Sequence, residues 1–399
     1  MEYTTLISGC KADCATVERL FTEVLTVGVG VDGQLITSVM NSYCTNNRIN
    51  DAYNLMRSYA LGPGRTIEPD PAMFSTIIRA CINVKNLKLA WETFDLMRQY
   101  YTEPDTVAFN LMIEACAESH DAERAFNLYE ELLLLKYPIL DSTFNSLLKV
   151  CSKRHDYFLE SFEVFQNMKI SGFMPSITSY HHLLSACGQV GDVQAADLVI
   201  EQMEKEDIPP TLQTYSILMA VLARGLAKDK TENYKFYIER ANLIFDEIKI
   251  FSEEKMRNFD PTSSKSLREI ENYKINTTLL NNYLLIYSNA MNLRRAEEVF
   301  KNFSLFNVQP DVVSYNIMLK AFSKARKAEQ CFDLYRQMKV AGIKPDDHTW
   351  KHLIVSCAKA HYINNALKIL RIMTANSIFL TFLFFAYSSL LTNAPSSFQ

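Results

Sequence analysis

One spacing constrains this chain more than any other feature. The dipeptide Pro69-Asp70 precedes Pro104-Asp105 by 35 positions, and Pro310-Asp311 precedes Pro345-Asp346 by the same interval. Pro175-Ser176 and Pro210-Thr211 are variants at that spacing. A short motif recurs at the same phase: AMFSTII from Ala72, VAFNLMI from Val107, STFNSLL from Ser142, TSYHHLL from Thr178, QTYSILM from Gln213 and VSYNIML from Val313. An aromatic residue, a small polar one and an aliphatic pair recur each time. A period of this length marks a supersecondary unit that cannot bury its apolar face alone and must stack on copies of itself. The units fall at 1–32, 33–70, 71–105, 106–140, 141–176, 177–211, 212–276, 277–311, 312–346 and 347 to about 376.

Each unit is predicted to hold two helices. In 312–346 the apolar residues Tyr315, Met318, Leu319 and Phe322 recur at helical spacing, and so do Cys331, Leu334, Tyr335 and Met338. A break near 325–327 and the closing Gly342-Ile343-Lys344-Pro345 punctuate them. One position of the second helix stays small: Ala52, Ala90, Ala125, Ser161, Ala196, Ala296, Cys331 and Ala366. A small side chain there lets the second helix approach the first closely. Bulky residues follow four and seven positions later, among them Phe94 and Met97, Phe165 and Met168, Tyr335 and Met338. That stripe is read as core rather than a cofactor box. Scarce glycine (11) and proline (12) in 399 residues also favour helices over a many-turned β fold.

The nine cysteines are an odd number and no two show CxxC spacing, so neither a complete disulfide framework nor a zinc ribbon is expected. Cys10, Cys81, Cys116, Cys151, Cys187 and Cys357 share one position, six residues after the fifth residue of their units, and Cys331 takes the small packing position. These seven are predicted to be buried thiols. The N-terminus reads as neither signal nor transit peptide, and Met1 runs straight into patterned sequence, which leaves room for an upstream segment. The apolar run 378–391 is short for a membrane span. The tail 377–399 is expected to be a buried or aberrant end, with a membrane anchor as the lesser alternative. The polar segment 252–275 reads as a flexible linker between repeats 1–251 and 276–376.

Net charge is -4, which excludes a globally basic nucleic-acid binder. The charge is uneven. Residues 1–250 hold 22 Lys+Arg against 33 Asp+Glu, and residues 251–399 hold 19 against 12. Phosphate contact is therefore expected mainly in the C-terminal part, and the acidic part leaves room for a protein partner. No phosphate loop, nucleophile elbow or HExxH zinc site is present, and no cofactor is expected. His120, His155, His181 and His182 are expected at surface or groove positions rather than as metal ligands.

The motif Val313-Ser314-Tyr315-Asn316-Ile317-Met318-Leu319 and the ending Gly342-Ile343-Lys344-Pro345-Asp346 resemble the pentatricopeptide repeat family almost fully, and the resemblance runs from Met1 to about Met373. It implies an all-α fold, an α-solenoid of about ten helix–turn–helix repeats in a right-handed superhelix. It also implies single-stranded RNA as partner, read one base per repeat, in organellar RNA processing, splicing, stability or translation. An expected organelle is the mitochondrion or the plastid. The family's base-reading side chains are the fifth residue of the first helix and the last residue of the unit. By that resemblance Thr4 with Asp32, Thr37 with Asp70 and Ser75 with Asp105 look like guanine readers. Asn281 with Asp311 and Asn316 with Asp346 look like uracil readers. Asn110 with Leu140 and Asn145 with Ser176 keep the Asn and suggest a pyrimidine. His181 with Thr211 fits no common pair, nor does Lys351, and Ser216 with Asn276 suggests adenine across a weak alignment. Val107, Thr178, Thr278 and Val313 would sandwich bases, and Lys153, Lys324 and Lys359 would contact phosphate. For any single polar residue the plainer alternative is a solvated helix start or an N-cap. The array carries no His-x-Glu with Cys-x-x-Cys of a deaminase, so no enzyme is expected. The competing class is a protein–protein scaffold.

Overall fold

A computed structural model describes residues 2–28, 30–62, 65–100, 106–229, 233–257 and 274–360, with four more between 362 and 371. Asp105 and the tail 377–399 lie outside the described residues. Nineteen α-helices and no strand occupy them. First helices of successive units are α1 (Glu2–Gly9), α3 (Gly33–Thr45), α5 (Pro71–Asn83), α7 (Thr106–Ser119), α9 (Asp141–Cys151), α11 (Ile177–Val190), α13 (Leu212–Lys228), α15 (Thr277–Asn289), α17 (Val312–Lys324) and α19 (Asp347–Lys359). Second helices are α2 (Cys14–Val27), α4 (Ile49–Met56), α6 (Leu87–Tyr100), α8 (Ala122–Leu134), α10 (Phe158–Ile170), α12 (Val193–Lys205), α14 (Tyr234–Arg257), α16 (Leu293–Lys301) and α18 (Ala328–Val340). The chain divides into two bodies, one running through Ala186 and one beginning at Cys187.

The unit boundary is made by a helix cap. Asp32, Asp70, Asp311 and Asp346 each accept a backbone N–H from the first turn of the helix they precede, and Thr211 and Asn276 do the same. Each carboxylate satisfies an amide that the helix leaves unpaired and places negative charge at the positive end of the helix dipole. The turn between the two helices of a unit is closed by a residue in the left-handed region: Asn47, Lys85, His120, Gly191, Met291 or Arg326. The following amide then bonds back across the helix end, as from Asp121 to the Cys116 carbonyl at 3.0 Å and from Lys327 to the Phe322 carbonyl at 2.9 Å. At Gly191 the backbone of Gly225 comes so close that an added Cβ would lie 2.9 Å from its nitrogen, so glycine alone fits.

Packing follows the predicted small-then-bulky pattern. Ala52, Ala90, Ala125, Ser161, Ala296 and Cys331 are fully buried, and Met97, Leu132, Met168, Met203, Phe303 and Met338 sit beneath them in the core. Ala366 lies outside the described residues. Successive units are locked by aromatic pairs, each joining a second helix to the next first helix. Phe94 meets Phe109 at 5.5 Å, Tyr129 meets Phe144 at 6.1 Å, and Phe165 meets Tyr180 at 5.0 Å. In the second body Phe300 meets Tyr315 at 5.2 Å and Tyr335 meets Trp350 at 5.6 Å. Each tilted or edge-on pair adds about 0.5–1.5 kcal/mol beyond its buried area.

Three expectations are corrected. Cys81, Cys116, Cys151, Cys187, Cys331 and Cys357 are buried, but Cys10 is only half-buried because α1 ends at Gly9 and leaves it in the turn. The segment beginning at 252 is not loop throughout: α14 continues to Arg257, six residues into the expected linker. His181 is 6% exposed rather than a surface residue, and its neighbour His182 is half-buried. The long unit 212–276 still stacks as one repeat. Asn282 and Asn289 of α15 donate to the Ser216 and Ala223 carbonyls of α13, each at 2.9 Å, and Phe245 of α14 stacks on Tyr283 at 4.2 Å.

Candidate nucleic-acid interface

The fifth residues lie near the start of the first helices, beside the cap of the next unit. In the second body this brings two complete pairs together. The Asn281 amide donates to Asp311 at 3.0 Å. The Asn316 amide donates to the two carboxylate oxygens of Asp346 at 2.9 and 3.1 Å. Each aspartate thus does two jobs, capping its helix and accepting from the fifth-position asparagine of its own unit. Burial works to raise the Asp311 and Asp346 carboxyls. The backbone N–H of Ser314 or Thr349, the asparagine amide and the Ser314 or Thr349 hydroxyl outweigh it, so both stay below the ordinary carboxylate value.

In the first body the arrangement is less uniform. Thr37 turns its hydroxyl back to the Gly33 carbonyl at 2.8 Å, while Asp70 caps α5 through Ala72 at 3.0 Å. Asp32 caps α3, and Thr4 is half-buried. The Asn145 amide is held by Asp141 of its own helix, through carbonyl and carboxylate oxygens both at 3.2 Å. Ser176 bonds to Thr178, hydroxyl to hydroxyl, at 2.7 Å. Asn110, whose unit ends in Leu140, has a buried amide nitrogen with no partner. Burial lowers the pKa of His181, and it holds His182 down at about 4, so both are neutral at pH 7. In the second body Ser216 is buried against Asn282.

The residues expected to sandwich bases all face solvent. Val107 is 42% exposed and Val313 52%, with Thr178 and Thr278 exposed as well. Val107 and Val313 thus keep about half of their surface open in the first turn of their helices and offer it as an apolar plate. Beside Val107 lies a groove of about 370 Å³ that also includes Ala72, Ser75 and Arg79. Second-position residues of consecutive units, Ala72 and Val107, therefore line one cavity together with the fifth-position Ser75, whose buried hydroxyl has no protein partner. Lys153, Lys324 and Lys359 are exposed at the end of their first helices, or just past it for Lys153. The equivalent Glu118 is paired with Lys149, which holds its carboxyl below the ordinary value. Among the described residues no cluster of His, Cys, Asp and Glu could hold a metal ion, and no helix is long and apolar enough to cross a membrane.

Sequence reasoning missed the residue at the third position of the next unit. Ser314 donates to the Asn281 carbonyl oxygen at 2.6 Å, Thr349 to that of Asn316 at 2.7 Å, and Ser179 to that of Asn145 at 2.7 Å. Thr143 does the same for Asn110. The signal was in the sequence, since Ser or Thr stands there after every one of these asparagines.

Three family models match the sequence. The pentacotripeptide-repeat region of PRORP covers residues 98–252, the PPR repeat family covers 310–359, and the pentatricopeptide repeat domain covers 64–119 and 268–325. The chain belongs to the pentatricopeptide-repeat family. Among curated relatives, a mitochondrial pentatricopeptide repeat-containing protein of Arabidopsis thaliana is 26% identical over 52% of this chain and 33% of its own length. A second mitochondrial one from Arabidopsis is 23% identical over 51% of this chain and 37% of its own. The chain thus spans about a third of the length of these relatives. The crystal structure of the pentatricopeptide repeat protein PPR10 from maize matches 98% of this pentatricopeptide-repeat chain and 55% of its own, with a TM-score of 0.59 at 18% identity. That likeness shows the helical-repeat fold.

Proposed function

We propose that this pentatricopeptide-repeat chain binds single-stranded RNA sequence-selectively and acts in organellar RNA processing, splicing, stability or translation. It would do so by occupying RNA rather than by catalysis. One observation carries the reading: a groove lined by Ala72 and Val107 of successive units and by Ser75, whose hydroxyl has no protein partner. Apolar side chains one unit apart that share a groove with an unpaired hydroxyl suit a splayed base, which needs its faces covered and its edge hydrogen-bonded. The asparagine–aspartate pairs at Asn281 and Asn316 support the same reading. Repeats 1–251 and 276–376 would form two reading blocks flanking segment 252–275. The mitochondrial and chloroplastic relatives support an organellar site of action.

The test is a gel shift on a single-stranded RNA pool across a salt series. The logarithm of the binding constant should fall linearly with the logarithm of salt concentration, as counterion release from phosphates requires. Absence of RNA binding even at low salt would refute the proposal. The excess of 33 acidic over 22 basic residues in 1–250 favours a second reading, a protein-binding scaffold. Under that reading the same assay gives no shift at any salt.

A further inference from the structure

We infer that the hydroxyl at the third position of each following unit — Thr143, Ser179, Ser314 and Thr349 — is a specificity-determining positioning residue for the asparagine reader of the unit before it. This rests on the RNA-reading function proposed above and adds to it a residue in the neighbouring repeat.

All four hydroxyls are completely buried, so each must spend its single proton on a protein acceptor. Thr349 has two acceptors in reach, the Asn316 carbonyl oxygen at 2.7 Å and an Asp346 carboxylate oxygen at 2.8 Å. That carboxylate oxygen already receives the Thr349 N–H at 2.8 Å and the Asn316 amide at 2.9 Å. The Asn316 carbonyl oxygen has no other donor shown, so the proton belongs there. The same set recurs at Asn281, with Ser314 at 2.6 Å and Asp311 on the amide nitrogen at 3.0 Å. An ionised carboxylate can only accept, so the nitrogen end of the side chain must face the aspartate and the oxygen end the hydroxyl.

This decides what a base meets. With its oxygen held by the buried hydroxyl and its amide nitrogen by the aspartate, the asparagine has a fixed orientation and turns its remaining amide proton to the base. That donor pairs with a base carbonyl in preference to an exocyclic amine. Uracil presents an acceptor where cytosine presents a donor. The sequence keeps the coupling elsewhere. Where the fifth residue is Thr4, Thr37, Ser75 or Ser216, a hydroxyl that serves as donor or acceptor by itself, the following third position is Leu35, Met73, Ala108 or Leu279. The hydroxyl is present where an amide has two unlike ends to be told apart, and His181, followed by Thr214, is the one other reader that has it.

The experiment enriches a random single-stranded RNA pool on the full chain and compares base profiles. Thr349→Val should lower the uracil-over-cytosine ratio at one position by roughly three- to tenfold and leave the other positions unchanged. Thr349→Ser should retain the wild-type profile. Thr143→Val should flatten its own position more completely, because no aspartate holds the other end of Asn110. A merely structural hydroxyl would weaken all RNAs alike and leave every ratio intact, and that result overturns the inference. If Thr349→Val does not fold, Ser314→Ala puts the same question to Asn281. A wild-type chain that enriches nothing overturns this inference together with the RNA reading. Enrichment that the variants leave unaltered overturns this inference alone.

Discussion

Replacing Asp346 by Ala and by Asn separates the hydrogen bond of a unit-closing cap from its charge. Asp346 accepts the Thr349 N–H at 2.8 Å and caps α19. Loss of such a cap costs about 1 kcal/mol, and loss of a negative charge at the helix N-terminus about 0.5 kcal/mol more. Asp346→Ala should therefore destabilise the first turn of α19 by about 1.5 kcal/mol. Asparagine caps nearly as well as aspartate, so Asp346→Asn should cost only the charge, about 0.5 kcal/mol. Repeat arrays open locally, so the measurement is native-state hydrogen exchange at the Thr349 amide. Asp346→Ala should speed that exchange by about tenfold and Asp346→Asn by two- to threefold. The pH dependence has a fixed sign. Because the folded carboxyl titrates below its unfolded value, its contribution is complete above the unfolded value of about 3.9 and is lost as pH falls through the lower folded one. The gap between wild type and Asp346→Asn should close over that window. An alanine variant with wild-type exchange, or an asparagine variant as damaged as the alanine one, would refute the reasoning.

Three further outcomes are expected. Phe165→Ala removes a buried ring that meets Tyr180 edge-on, and it should cost about 3–5 kcal/mol in urea unfolding followed by far-UV circular dichroism. Burial and Lys320 hold His352 at about pKa 4, so it stays neutral in the fold. Unfolded histidine takes up a proton below about 6.5, so stability should fall between about pH 6.5 and 4, and His352→Leu should flatten that slope in a pH series of melts. Cys81, Cys151 and Cys187 are buried and their thiols pushed up to about 11, 12 and 12, so a maleimide should label them only after unfolding, while half-buried Cys10 reacts in the native chain.

Much of this was legible in the sequence because the repeat averages out local noise. Pro-Asp marks a unit end through two local rules, the extended bias around proline and the capping preference of aspartate, and neither depends on tertiary context. The small position of the second helix was equally plain, since Ala52, Ala90 and Ala125 share one phase. Cys10 was misplaced because phase fixes the position in a unit but not where α1 ends. The helix through Arg257 is hard to see in the sequence because Ser252-Glu253-Glu254 is polar and polarity suggests a loop, although Glu253 and Glu254 suit the exposed helix face they occupy. The third-position hydroxyls went unremarked because their role appears only when two consecutive units are laid side by side.

The capping bond across each unit boundary changes how the readers should be counted. Asn316 lies in α17, and both its aspartate and its hydroxyl partner belong to the start of α19 or the residue just before it. A stack therefore needs one more first helix than it has working asparagine readers. α19 earns its place through Asn316 even though its own fifth residue, Lys351, matches no common pair. Under the proposed RNA reading, recoding one base position would mean rewriting three residues spread over two repeats, and a transplanted block cut at Pro345 would carry Asn316 without its hydrogen-bond partners.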